Sequence, residues 1–207
     1  MLPMARFASA PLPRGRPRSF DPEAAVDRAM DVFWSRGYHG TSLPDLLRAT
    51  NLSRGSLYAA FGDKHALFLR ALDKYIADSL AWLDSDLNVE GPALAGVRNC
   101  LTGYAERSSG AKGHRGCLLV ATAMELAAHD AEVEHYIAGF FRAMERRLEV
   151  VLLRGQAAGE LAEGVDPSSV ARLLICVAEG LRVVGKTRPD RATMQATVDT
   201  LLHRFTR

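Results

Sequence analysis

From residue 20 onward, apolar residues recur at three- and four-residue steps, and most such stretches begin at a capping acid or proline and stop at glycine. That pattern leaves little room for anything but helices. The one-in-two alternation of a half-buried strand is absent, and Leu and Ala dominate over Ile and Tyr. The expected helices span about 22–36, 42–50, 54–60, 64–83, 92–107, 117–127, 131–158, 167–185 and 191–204. Asp21–Pro22, Ser42 with Asp45, Asp130, Asp166–Pro167 and Pro189–Asp190 supply the starts. Gly37, Gly62 and Gly159 supply stops. The expected fold is therefore all-α, with about nine helices and a polar, glycine-containing loop over 108–116. Residues 1–19 lack this pattern. Pro3, Pro11, Pro13 and Pro17 break them up, and they read as a flexible arm.

Composition narrows the class. Of 207 residues, 48% are apolar and 24% charged, enough apolar material for a sizeable core. No apolar run approaches the length needed to cross a bilayer, and the N-terminus lacks the pattern of a secretory signal. Cys100, Cys117 and Cys176 are odd in number and widely spaced, so a disulfide framework is not expected and a reducing, cytoplasmic setting is. The net charge of +2 is unevenly spread. Arg6, Arg14, Arg16 and Arg18 stand in the first twenty residues with no acid among them, which points to an anionic partner for that end.

Three short helices in the first 61 residues, the last two joined by the turn at 51–53, make a helix-turn-helix pattern. A helix that enters the major groove needs small or polar residues outward and anchors inward. Leu57 and Phe61 would anchor the third helix above Leu43, Leu46, Leu47 and Leu52, leaving Arg54, Gly55, Ser56, Tyr58 and Ala59 outward. Taken singly, Tyr58 and Phe61 read equally as core aromatics, and Arg54 and Lys64 as solvated surface charges.

The stretch from Phe20 to Tyr75 resembles the DNA-binding domain of TetR-family bacterial transcriptional regulators. The likeness rests on Gly37-Tyr38, on Gly40-Thr41-Ser42, and on Ser53-Arg54-Gly55-Ser56-Leu57-Tyr58 followed by Phe61 and Lys64. It implies a DNA-binding domain over 20–64 and a helical ligand-binding and dimerisation domain over 65–207. It further implies that Thr41 and Ser42 meet phosphate, that Arg54, Gly55 and Ser56 reach base edges or nearby phosphates, and that Tyr58 and Lys64 hold the backbone. Ala59 and Ala60 stand where many relatives carry bulkier residues; an alanine methyl can still touch a thymine methyl. In the arm, Pro13-Arg14-Gly15-Arg16-Pro17-Arg18 resembles an AT-hook core, with Arg14, Arg16 and Arg18 suited to a narrow minor groove. A tail that touches phosphates without sequence preference is the other reading of it.

The same resemblance implies a homodimer paired through the last two helices on a double-stranded DNA operator, and a small-molecule inducer. The apolar stripes at Val170, Leu173, Leu174, Val177, Leu181 and Val184, and at Val198, Leu201, Leu202 and Phe205, serve such pairing or an internal core. Candidate pocket walls are Trp82, Leu101, Tyr104, Met124, Phe140, Phe141 and Met144. Cys117 joins them, because Gly116-Cys117-Leu118-Leu119 resembles a motif in part of the family. A thiol at a helix start beside His114 and Arg115 has a lowered pKa and senses oxidants or electrophiles; a small packing residue is the alternative. No nucleophile elbow, phosphate-binding glycine loop or His-Glu-x-x-His motif is present, so an enzyme is not expected, nor any cofactor. Glu125 with His129, or His114 with Cys117, supplies two zinc ligands at most. The rival from another class is an architectural protein that binds DNA through its arm without sequence preference.

Overall fold

The computed structural model describes residues 20–205. Ten α-helices run in order: α1 (Pro22–Arg36), α2 (Leu43–Thr50), α3 (Arg54–Phe61), α4 (Lys64–Leu87), α5 (Ala93–Arg107), α6 (Gly110–Gly113), α7 (Leu118–Leu126), α8 (Ala131–Ala157), α9 (Pro167–Val184) and α10 (Arg191–Leu202). A 3-10 turn, Gly185–Thr187, follows α9. The fold is all-α, as the periodicity requires.

The caps work as their chemistry dictates. Asp21 accepts from the Glu23 amide at 2.9 Å, with Pro22 in the first turn of α1. Ser42 and Asp45 form a reciprocal capping box on α2. The Asp63, Asp130, Asp166 and Asp190 side chains accept amides at the starts of α4, α8, α9 and α10. Asn51, in left-handed conformation, ends α2.

Two elements depart from expectation. The fourth helix continues to Leu87, because Leu83 and Leu87 are both buried in the core and Asn88 ends it only afterwards. Within the expected loop, Gly110–Gly113 closes one helical turn, tied to the start of α10 by Gly110 N donating to Pro189 O at 2.8 Å.

Packing puts α1 against α2 and α4, and α4 against α5 and α8, while α8 pairs with α9 and α5 with α10. The core is continuous from Phe33 on α1, through Leu67, Phe68 and Leu72 on α4, to Leu148 and Leu152 on α8. At 24 residues, α4 is about 36 Å long and joins the three-helix head to the body as one rod.

Candidate DNA interface and internal cavity

α3 starts at Ser53, whose Oγ accepts from Ser56 N at 3.1 Å, and ends at Gly62. Leu57 is fully buried and pins it to the core, while Phe61 is half-buried. That fixes the rotation of the helix. Arg54, Gly55 and Ala59 are exposed, Tyr58 is 41% exposed, and Ser56 is half-buried. Arg54 makes no ion pair among the described residues. Lys64 opens α4 with its Nζ 4.3 Å from the centre of the Tyr38 ring, and burial lowers its pKa.

At the start of α2 the hydroxyls of Thr41 and Ser42 both bond within the head. Thr41 is buried, and its hydroxyl donates to Gly37 O at 2.6 Å. Its side chain is turned into the head. Ser42 is exposed, but its hydroxyl donates to Asp45 Oδ2 at 2.6 Å inside the capping box. That bond, with Arg36 and Arg48 nearby, holds the Asp45 carboxyl at a pKa of about 2. Arg14, Arg16 and Arg18 lie outside the described residues.

The body holds a cavity of about 250 Å³. Trp82, Tyr104, Phe140 and Cys117 of the expected wall line it. Leu101 and Met144 are instead buried core, and Phe141 is packed against the core beside Phe140. Met124 is 86% exposed on the opposite side of α7. Residues 117–127 are apolar nearly all round, so periodicity cannot say which side faces in. The pattern missed Tyr75, Arg107, Glu179 and Arg182, and it missed the head's own contribution, Met30 and Trp34 on α1. Charged residues on apolar helix faces, Glu179 and Arg182 among them, were the available signal.

Cys117 sits at the start of α7, yet its thiol is pushed up to about 12, not down. Burial is the largest cause, and the Glu179 carboxyl beside it adds to the shift. Its neighbours also fail to help: the His114 ring lies against Lys186 O, and Arg115 pairs with Asp31 over the Trp34 ring. Tyr75 instead donates its hydroxyl to Cys117 Sγ at 3.5 Å. Cys100, equally buried, is also raised to about 12. Alkylation of Cys100 and Cys117 by iodoacetamide at pH 8 is expected to be at least about a hundredfold slower in the native than in the unfolded chain. Peptide mass mapping of the labelled sites checks this, and native labelling of Cys117 at the unfolded rate restores the electrophile reading.

Glu125 is not available to a metal. Its Oε2 accepts from Tyr38 N at 2.9 Å and its Oε1 from His39 N at 2.6 Å. Gly37, at φ 73°, lets the turn pass so near that a Cβ there would lie 2.7 Å from the same carboxylate. So α7, which begins at the cavity, ends by holding the α1–α2 turn of the head. His65 Nε2, 2.8 Å from Asp130 Oδ2, makes a second tie between α4 and α8. Among the described residues no three His, Cys, Asp or Glu side chains converge as a metal site, and no helix is long and apolar enough to cross a membrane.

Comparison with known proteins gives two matching families, described as bacterial regulatory proteins of the tetR family over residues 25–71 and as the tetracyclin repressor-like C-terminal domain over residues 93–201. The chain is 32% identical to the HTH-type transcriptional repressor ComR of Escherichia coli over 178 residues, 82% of this chain and 81% of that one. It is 31% identical to the HTH-type transcriptional regulator YezE of Bacillus subtilis over 91% of this chain and 97% of that one. Among solved structures, a cysteine-substituted form of the regulator CifR, complexed with 26-base-pair double-strand operator DNA, superposes with a TM-score of 0.82 at 34% identity, covering 92% of this chain and all of that one.

Proposed function

We propose a repressor's cycle for this chain, which belongs to the TetR family of DNA-binding bacterial transcriptional regulators: two copies hold a palindromic operator in the cytoplasm, and a small molecule in the internal cavity releases them. In this reading residues 20–64 read DNA, residues 65–207 sense and dimerise, and the basic arm of residues 1–19 adds contacts outside the major groove. Arg54, Gly55, Ser56 and Tyr58 face the groove, and Lys64 braces the backbone.

The observation that carries the release step is the origin of the cavity wall. Met30 and Trp34 come from the head, and Tyr75, Tyr104 and Glu179 from the body. A ligand there presses on the helix that carries the reading head, and α7 passes strain from Cys117 to the Glu125 contact. A ligand moves such an equilibrium only by binding one head position better than the other.

The dimer reading rests on the outer side of α9. The expected stripe divides into two faces: Val170, Leu174 and Leu181 are buried within the chain, while Leu173 and Val184 are about half exposed and Gly180 has open space before it. Val177 continues that outer face toward Thr197, Thr200 and Leu201 of α10, across a shallow apolar groove. On α10, Val198 and Leu202 are core. An uncovered apolar stripe interrupted by glycine suits close helix-to-helix pairing.

Affinity capture of sheared genomic DNA, followed by sequencing, tests the reading; enrichment of one or a few palindromic sites is expected. DNA without a shared motif, bound with steep salt dependence, replaces it with the architectural reading. On the captured site, Arg54→Ala is expected to alter preference among sequences by roughly 1–3 kcal/mol per lost base contact. Lys64→Ala is expected to weaken all sequences alike, with a shallower salt slope. Equal losses on specific and random DNA for Arg54→Ala remove its base-reading role.

A further inference from the structure

At the far end of α4, about 36 Å along the rod from the reading head, the body has a second concavity that the repressor's cycle leaves unused. It is a groove of about 470 Å³ between the end of α4 and the later turns of α8, a volume in the range of small-molecule sites. Leu87 of α4 and Val151 of α8 are buried at its base, and Val150 lies 59% exposed beside them. Arg146, Arg147 and Arg154 also line it. Residues 146, 150 and 154 follow at four-residue steps, so an exposed valine stands between two arginines on one side of the helix.

The charges of the groove do not cancel. Asp84 is the one carboxylate among its lining residues, and Arg147 takes it through Nε at 2.7 Å while giving Nη1 to Ala143 O at 3.1 Å. The Arg146 and Arg154 guanidinium groups have no hydrogen bond or ion pair among the described residues. The nearest acids along α8 are engaged with α9: Glu145 pairs with Arg172 at 3.0 Å, and Glu149 accepts the Ser168 hydroxyl. Other arginines of the body are matched across elements, as Arg98 is by Asp199 and Arg191 by Glu106. A single exposed arginine is ordinarily a solvated charge, and one in the last turn of a helix also suits the dipole. Here three line one groove whose only acid is already taken, which leaves positive potential over uncovered apolar surface. Guanidinium groups match carboxylate and phosphate oxygens, and the base, with no aromatic ring in it, suits an aliphatic chain.

We propose that this groove binds an amphiphilic organic anion, its carboxylate or phosphate group drawn by Arg146 and Arg154 and its aliphatic chain laid on Leu87, Val150 and Val151. The site shares no residue with the internal cavity and does not depend on the reading of that cavity as the inducer site. Leu87 is the last residue of α4, so the occupant rests on the same rod that carries the reading head at its other end.

The test is a methyl NMR titration of the full chain, free of DNA, with octanoate, 1-octanol and acetate. The Val150 and Val151 methyl signals report the groove, and the Met30 methyl signal reports the internal cavity. Octanoate is expected to shift the valine signals and to bind the groove at least about tenfold more tightly than acetate, which lacks the chain. It is expected to bind at least about fivefold more tightly than 1-octanol, which lacks the charge, and to lose that advantage as salt is added. Arg146→Gln with Arg154→Gln removes two exposed charges and should cost octanoate about tenfold or more. Arg142→Gln, exposed on the same helix but outside the groove, should cost less than about twofold. Equal binding of 1-octanol, shifts confined to Met30, parent-level binding in the double variant, an equal loss in Arg142→Gln, or silence of all three probes overturns the proposal. If the double variant does not fold, the probe order and the shifted signals on the parent protein decide alone. Phosphatidylglycerol vesicles form a further arm: vesicle binding without a response to octanoate replaces the soluble anion with a membrane surface and overturns the proposal. None of these outcomes bears on operator capture, which tests the regulator reading by itself.

Discussion

Phe33→Ala is expected to destabilise the protein by about 3–5 kcal/mol. The ring is fully buried, 4.9 Å from Phe68 edge to face and 6.2 Å from Tyr38 in a near-parallel stack. It therefore joins α1 to α4 and to the turn that Glu125 holds, and nothing small refills a site bounded by rigid helices. A loss of that size is a large part of a domain's usual 5–15 kcal/mol, so operator binding should fall with the folded fraction. Urea unfolding followed by circular dichroism measures it, and a loss under about 1 kcal/mol contradicts the packing described. Tyr58→Ala is the counterpart. With the ring 41% exposed, stability should stay within about 0.5 kcal/mol while DNA affinity drops.

Leu173→Glu is expected to give a folded monomer that has lost specific operator binding. The side chain is 47% exposed on the outer face of α9, so the single chain loses little. In a pair, two carboxylates would be buried without partners, which costs far more than an apolar contact returns. One eight-residue recognition helix makes few base contacts, and specificity comes from two in register. Affinity for the palindrome should therefore fall by at least about 10³-fold, the low end of the gap between specific and nonspecific binding. Sedimentation and gel shift read the two effects. A dimer that persists moves the interface elsewhere, and a monomer that binds as tightly as the parent removes the need for pairing. Leu174→Glu, one residue on but buried, should instead unfold the chain.

Local chemistry was legible in the sequence where it acts alone. Asp21 with Pro22, Ser42 with Asp45, and Asp130, Asp166 and Asp190 announce helix starts, because a cap needs only neighbours along the chain. Burial from elsewhere in the fold overrode the local signs. Leu87 carries α4 one turn further, since the core rewards it, and the glycines of α6 look like loop until α10 docks beside them. The stripe on α9 merged two faces because Leu and Val at adjacent positions satisfy both. The candidate site shows the same limit. A helix start lowers a thiol only if water or positive charge is near, and burial next to Glu179 reverses the sign at Cys117. Thr41 has the residue type that the resemblance asks for, yet the Gly37 carbonyl four residues back claims its hydroxyl. The cavity wall is drawn from α1, α4, α5, α8 and α9, and no short stretch of sequence records that meeting.

Trp34 and Met30 in the cavity wall bear on how such a chain can be recombined. Glu125 grips two main-chain amides, which any residue but proline supplies, so that joint would accept a transplanted head that keeps glycine at 37, whatever side chains stand at 38 and 39. The cavity would not. On the proposed reading of the cavity as the inducer site, a chimera cut at residue 64 exchanges part of that site along with the DNA-reading helices, and is expected to answer to a different molecule or to none unless both α1 residues travel back with the body.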